Sequence, residues 1–348
     1  MVRVLSRLVF LALITMFWVG CDGGQRGYVA LSGKMLGTTY HLKADIDSSL
    51  VGELEQRITQ LDTRVKSEMS LFDPTSQLSR INRGESDELT PWLEFNISLA
   101  DSVSRLSGGL FDITVAPLVE ALGFAGDEAV ERPNIDSLLE FVGYRGIELR
   151  EGRIIKRDER MQIDLNSIAK GFTVDLFAEL LEQMGAQNYI VDIGGELRLE
   201  GVNEQGEGWR VGIESPFDGN MSEGEFLERR LQIEPNSEMR AIATSGNYRR
   251  FYLNDKGEKV VHTINPITGS SSPSTLLSVS VLAPTCALAD AYATMLMAAG
   301  DGGAEALAER IENCEVYFIY GNARAHEKEQ SGEYREYLSE GVRSRLLE

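Results

Sequence analysis

With 348 residues, 43% of them hydrophobic and 25% charged, the chain has the composition of a folded globular protein, not of a fibrous or disordered one. Its formal net charge of −20, with no basic run, excludes a nucleic-acid binder, which needs a basic face for phosphates. The acidity itself calls for nothing beyond solubility and weak self-association.

The first segment reads as a targeting signal. Arg3 and Arg7 form a positive start, and Leu8 to Val19 is an apolar stretch inside the ~7–15 residues of a signal and short of the ~20 that span a bilayer. Gly20-Cys21 follows. A small residue and then Cys resembles a bacterial lipoprotein signal, in which Cys21 is lipidated, although Trp18 stands where Leu is usual. Asp22 resembles an inner-membrane retention signal. The expectation is a signal over 1–20, a tether over 21–30, and a lipid-anchored protein on the inner membrane facing the periplasm. Cys286 and Cys314 then remain, and spacing does not decide between a disulfide and two buried thiols. No CxxC or Cys/His cluster points to zinc.

Ordered sequence is expected from about Tyr28, and Thr38 to Ala44 alternates as a strand. Leu54, Ile58, Leu61 and Val65 fall at helical spacing and predict an amphipathic helix over 49–67. Thr90-Pro91 reads as an N-cap with Pro at the first helical position. Trp92, Phe95, Leu99, Val103 and Leu106 continue that helix along one face to a stop at Gly108-Gly109. Weaker patterning from 120 to 160 predicts a loop, a short helix over 135–142, and hairpin strands at 147–149 and 153–156. A strand is expected to end at Ile163, followed by a helix from Ser167 to Met184 that closes at Gly185. Tyr189 to Ile193 reads as a buried strand, and 209–214 as another. Residues 217–237 read as a polar surface excursion. Further strands are expected at 241–244, 249–253, 277–283 and 315–320, and helices at 287–300 and 303–313. Residues 322–348 interleave Glu and Arg and read as a polar, solvated tail or an exposed helix. Strands and helices alternate without a βαβ rhythm, which predicts an α+β fold: a single large domain over 31–321 with a mixed or antiparallel sheet. Neither nucleotide-binding glycine fingerprint is present.

Several runs carry residues suited to chemistry. Asp290 and Thr294, at i and i+4, share one helix face, and a carboxylate with a hydroxyl is a hard-oxygen pair that suits Mg²⁺. The plainer reading is an Asp in a first helical turn and a Thr packed one turn on. His262 opens the run His-Thr-Ile-Asn-Pro-Ile-Thr-Gly, where an imidazole beside a Pro/Gly turn could hold a phosphate or take a proton. Between a strand and a helix, Asp164 could accept from a ligand and Lys170 could neutralise a phosphate, or the two could be a cap and a solvated side chain. In the run 109–117, Phe111 could stack on a flat ring with Asp112 near it, or the run could be a core strand with a capping Asp. Gly194-Gly195 permits close backbone approach or makes a plain hairpin turn. Residues 243–246 offer hydroxyls and amides to phosphate or form an ordinary turn. His41 and His326 read as structural or solvated.

The order of these runs is more telling than any one of them. Gly-Thr-Thr-Tyr at 37–40, Ser-Leu-Phe-Asp-Pro at 70–74 with Ser76 and Asn82, the run 109–117, Asp164 to Gly171, Ile193 to Glu196, Ala243 to Tyr248, His262 to Gly269 and Ala289 to Thr294 follow one another. This series resembles the FAD:protein FMN transferase (ApbE-like) family from about residue 31 to 320. The resemblance implies an enzyme that takes FAD, attaches its FMN half through a phosphoester to a Thr or Ser hydroxyl of a target protein, and releases AMP with the help of Mg²⁺. Targets would be subunits of membrane redox complexes. It implies metal ligation at Ser167 (by its carbonyl), Asp290 and Thr294, with Ala293 adjacent. FAD contacts are implied at Phe72, Leu110, Phe111, Asp112, Asp164, Lys170 and Ile264. Leu36 replaces the family's flavin-contacting Met, with Met35 one place earlier. His262, Asp290 and Lys170 are the expected catalytic residues, His262 as proton acceptor or phosphate contact, with a carboxylate as the alternative base. Two other readings use the same residues: a Mg²⁺-dependent FAD pyrophosphatase releasing FMN and AMP, and a non-catalytic flavin-binding lipoprotein.

Overall fold

Period-two burial marks the strands. In Thr38–Asp47, Tyr40, Leu42, Ala44 and Ile46 are buried and the residues between them are not. The computed structural model describes residues 26–124, 134–217, 220, 226–248, 251–253, 259–271, 274–321 and 334–347; the expected signal, Cys21 and His326 lie outside them. Eight strands form one sheet in the order Arg26–Met35, Thr38–Asp47, Tyr189–Ile193, Glu196–Glu200, Ala241–Gly246, Leu276–Ala283, Glu315–Tyr320 and Arg335–Leu338. That order is also their order in the chain, and every neighbouring pair is antiparallel. The sheet is therefore a meander, and the α+β class holds with the sheet antiparallel. The helices are insertions between its strands: Val51–Met69, Pro91–Ser107 and Ala169–Gln183 before the third strand, and Cys286–Ala299 before the seventh.

Both faces of the sheet are covered, which is why its inner strands are apolar on both sides. Ala243, Val281 and Phe318 join the core under the helices. Ile242, Leu282 and Tyr317, one residue away, join a second core under the hairpin Trp209–Glu214 and Leu227–Ile233. Local signals hold well in the helices. The Thr90 hydroxyl accepts from Leu93 N, Pro91 opens the helix, and Gly108 ends it in the left-handed conformation at φ 66°.

The structure corrects four expectations. Arg26–Met35 is a full strand, joined to the next by a two-residue turn at Leu36 and Gly37, both with positive φ (51° and 76°), the geometry of a tight antiparallel hairpin. No strand ends at Ile163. Asn82 does the pairing there instead: its Nδ2 donates to Ile163 O at 2.9 Å and its Oδ1 accepts from Ile163 N at 2.8 Å. Within 217–237, Leu227–Ile233 is a paired strand and not a polar excursion. The segment 335–347 is not a solvated tail. Arg335–Leu338 is the edge strand, Val342 is fully buried, Gln232 N donates to Arg345 O at 2.8 Å, and Leu347 N donates to Arg230 O at 2.9 Å. Period-two patterning fails in all these places because the segments pair at an edge or through a side chain, where one apolar face need not be continuous. Cys286 and Cys314 are free thiols.

Candidate active site

Two helices begin without a side-chain cap of their own. Ile168 precedes Ala169–Gln183 and Thr285 precedes Cys286–Ala299, and neither side chain accepts from its helix. Each helix caps the other instead. Asp290 Oδ2 accepts from Gly171 N at 3.0 Å, and the Asp175 carboxylate accepts from Cys286 N and Ala287 N at 2.9 Å each. Free N–H groups at a helix start favour a carboxylate. Contact this close requires glycine: a Cβ on Gly171 would stand 2.3 Å from Cys286 O and 2.8 Å from Asp290 Cβ.

The bond to Asp290 has a second effect. In a regular helix Gly171 N would donate to the carbonyl four residues back, that of Ser167. Donating to Asp290 instead, it leaves the Ser167 carbonyl without a hydrogen bond among the described residues. Among the described residues Asp290 Oδ1 makes none either. Thr294, one turn on, has its hydroxyl 3.3 Å from Ser245 Oγ. The Ser167 carbonyl, Asp290 and Thr294 are three hard oxygens, and this donor set fits Mg²⁺.

Charge is concentrated beside them. Lys170 Nζ pairs with Glu196 Oε2 at 2.5 Å, where Glu196 is buried and Lys170 about one-third exposed. Burial pushes the Glu196 carboxyl up to about 7 against the pull of Lys170. Burial raises Asp290 as well, opposed by Lys170 and the Gly171 N–H. It disfavours the Lys170 ammonium, but Glu196 and Asp290 outweigh it and hold the pKa above the ordinary lysine value. Two buried carboxyl groups and one ammonium thus share this end of the cleft, and a cation bound there would favour the ionised form of both carboxyls.

These groups lie on one cleft of about 630 Å³. Of the sequence-predicted residues, Leu110, Phe111, Asp112, Asp164, Ser167, Lys170, His262, Ile264, Asp290 and Thr294 line it. Leu36, Phe72 and Ala293 do not. Leu36 sits in the hairpin turn, Phe72 is 75% exposed after the Val51–Met69 helix, and Ala293 is fully buried in the apolar core. Asp112 shows the capping role. Its Oδ1 accepts from Thr114 N (2.8 Å) and Thr114 Oγ1 (2.6 Å), and its Oδ2 from Tyr144 N (2.6 Å), while burial raises its pKa. Asp164 accepts from Asn166 N at 2.7 Å, and its own N–H donates to Ile113 O at 2.7 Å, which knits the two runs together.

His262 follows the short strand Lys259–Val261, with its ring edge-on to Phe124 at 6.4 Å. Its run is shaped in advance. Asn265 Oδ1 accepts from Ile267 N (2.9 Å) and Thr268 N (3.2 Å), and Gly269, at φ 66°, donates its N–H to Asn265 O at 2.8 Å. Thr263 Oγ1 donates to Asn247 Oδ1 at 2.8 Å, fixing the loop against the 243–248 segment, whose Thr244 and Ser245 line the cleft. Glu196, Asp192, Arg210, Glu214 and Tyr248 also line it; sequence reasoning assigned none of them a role of its own, although Glu196 and Tyr248 close two of the runs that carry the resemblance. A signal for Glu196 existed: it is an acidic residue that opens a strand straight after two glycines.

The chain matches the family model described as the ApbE family over residues 36–318. It is 35% identical over 344 residues to the FAD:protein FMN transferase of Vibrio cholerae, an alignment covering 95% of this chain and 98% of that one. To the FAD:protein FMN transferase of Haemophilus influenzae it is 34% identical over 306 residues, covering 84% and 86%. The solved structure of the flavin transferase ApbE from Vibrio cholerae is similar at a TM-score of 0.75 and 30% identity, with 92% of this chain and 99% of that one covered. A family match over most of the length, joined to full-length relatives above 30% identity and a shared fold, makes this chain a member of the ApbE family.

Proposed function

We propose that the protein is a Mg²⁺-dependent FAD:protein FMN transferase. It takes FAD, joins the FMN half through a phosphoester to a Thr or Ser hydroxyl of an acceptor protein, a subunit of a membrane redox complex, and releases AMP. The observation that carries this reading is the juxtaposition of Asp290, Thr294, the freed Ser167 carbonyl and the Lys170–Glu196 pair on one cleft. Hydroxyl attack on a diphosphate phosphorus needs charge neutralisation and in-line positioning more than covalent help. Asp290, Thr294 and Ser167 would hold Mg²⁺, which when bound withdraws charge from the diphosphate oxygens. Lys170 would add a positive charge beside the same oxygens. His262 takes the proton of the acceptor hydroxyl, a task suited to an imidazole near neutral pH. Thr244 and Ser245 offer hydroxyls for phosphate oxygens, and Leu110, Phe111 and Ile264 offer an apolar wall for the flavin.

The test is incubation with FAD, Mg²⁺ and a candidate acceptor, followed by a denaturing gel and nucleotide analysis. A fluorescent acceptor band with AMP is the expected result. Free FMN and AMP without a band would replace transfer by hydrolysis, and unchanged FAD would remove catalysis altogether. We further propose anchoring through a lipid on Cys21, at the inner membrane facing the periplasm. Labelled palmitate appearing in the wild type and not in Cys21→Ser would support it, and equal labelling would overturn it.

A further inference from the structure

Glu196 stands on an inward position of a central strand, 3% exposed, in a core that is otherwise largely apolar. A buried carboxylate is costly unless paired. Its carboxylate has one partner among the described residues, the Lys170 ammonium at 2.5 Å. Asp290 lines the same cleft as Lys170, and its charge acts on the same ammonium. One Asp290 oxygen is taken by Gly171 N at 3.0 Å, and the other makes no hydrogen bond among the described residues. Two carboxylates thus compete for one cation on a flexible stem. Were Lys170 to swing to Asp290, it would occupy the oxygen that a divalent ion needs.

The backbone favours Glu196 in this competition. Gly194 and Gly195 turn with φ of 60° and 98°, and Asp192 Oδ1 accepts from Gly195 N at 2.8 Å, so the start of the strand is rigidly placed. A Cβ on Gly194 would stand 2.8 Å from Thr38 Cγ2, which packs the turn against the neighbouring strand. We infer that Glu196 is a positioning residue that draws the Lys170 ammonium away from Asp290 and so keeps an Asp290 oxygen open for a divalent cation. The inference rests on the metal reading of the proposed function.

The test is Mn²⁺ uptake by the full-length protein without FAD, read from the loss of the free-ion EPR signal, with Asp290→Ala as the control that removes the site. Glu196→Gln is expected to weaken uptake by roughly ten- to a hundredfold, the usual cost of losing a group that orients a ligand. Adding Lys170→Met to Glu196→Gln removes the competing ammonium and is expected to restore much of the affinity. Wild-type affinity in Glu196→Gln would overturn the inference, as would a double variant no tighter than the single one. If Glu196→Gln fails to fold, the double variant decides alone, because a neutral pair is tolerated in such a place. It must then bind Mn²⁺ to within about tenfold of the wild type, and a loss as complete as in Asp290→Ala overturns the proposal. A wild type that takes up no Mn²⁺ at this site would sink the metal reading itself, and this inference with it.

Discussion

The two helix starts that cap each other use the same device for opposite ends. At one, Asp175 accepts from Cys286 N and Ala287 N and pairs with Arg198 at 2.8 Å, away from the cleft. Both side chains of that pair are close to nine-tenths buried, and Arg198 also donates to Pro284 O at 3.1 Å. At the other, Asp290 lines the cleft and accepts a single backbone bond, its other oxygen making none among the described residues. Burial raises the pKa of both carboxyls. The first is saturated with partners and holds the helices together. The second is left short of partners and remains available to a ligand. What separates structure from function here is the number of partners, not residue type or burial.

Substitutions can break this contrast. Asp290→Ala should cost at least about a hundredfold in FAD turnover, while the loss of one cap lowers stability by no more than about 2 kcal/mol; coupled nucleotide assays and thermal melts read the two. Asp175→Ala should do the reverse, destabilising by roughly 3–5 kcal/mol because Arg198 is left buried and unpaired. Equal losses of stability in the two variants would erase the distinction. Gly171→Ala should disturb both ends at once, since its Cβ meets Cys286 O and Asp290 Cβ. Overpacking of about 1–3 kcal/mol, together with reduced turnover, is the expected result in denaturant titrations and assays. Arg105→Ala removes an exposed i,i+4 pair with Asp101 and should change stability by no more than about 0.5 kcal/mol, with turnover unchanged.

A fifth variant sharpens the comparison from outside the helices. Asn82→Ala strips Ile163 of both its backbone bonds and should destabilise by roughly 1–3 kcal/mol. It should also loosen the 161–168 segment that carries Asp164 and Ser167, seen as faster amide exchange there. Lys156 reinforces the same segment, its ammonium donating to the carbonyls of Ile81, Asn82, Glu159 and Met161.

How much of this was legible beforehand follows from the range of each interaction. The Pro91–Ser107 helix could be read with both its ends, because cap, proline and stop glycine are all local. Helix Val51–Met69 was legible from its apolar spacing alone. The strands Arg26–Met35 and Arg335–Leu338 were not, because they lie at the two edges of the sheet, where one side of the ladder is unpaired and the apolar pattern is weak. The irregular run before Asp164 was misread because its pairing partner is the side chain of a residue some eighty positions earlier.

Composition and periodicity were enough to indicate an α+β chain, and the resemblance carried by the order of the short runs implied site residues of which ten line one cleft. They also set the spacing of Asp290 and Thr294, since i and i+4 share a face on any helix. The tertiary structure alone decided that Asp112 spends its carboxylate on a turn, that Asp290 keeps an oxygen unbonded among the described residues, and that Glu196 pairs with Lys170. A carboxylate's role depends on which donors reach it, and in all three cases donors on other elements do. Only packing these elements against one another brings them within hydrogen-bonding distance.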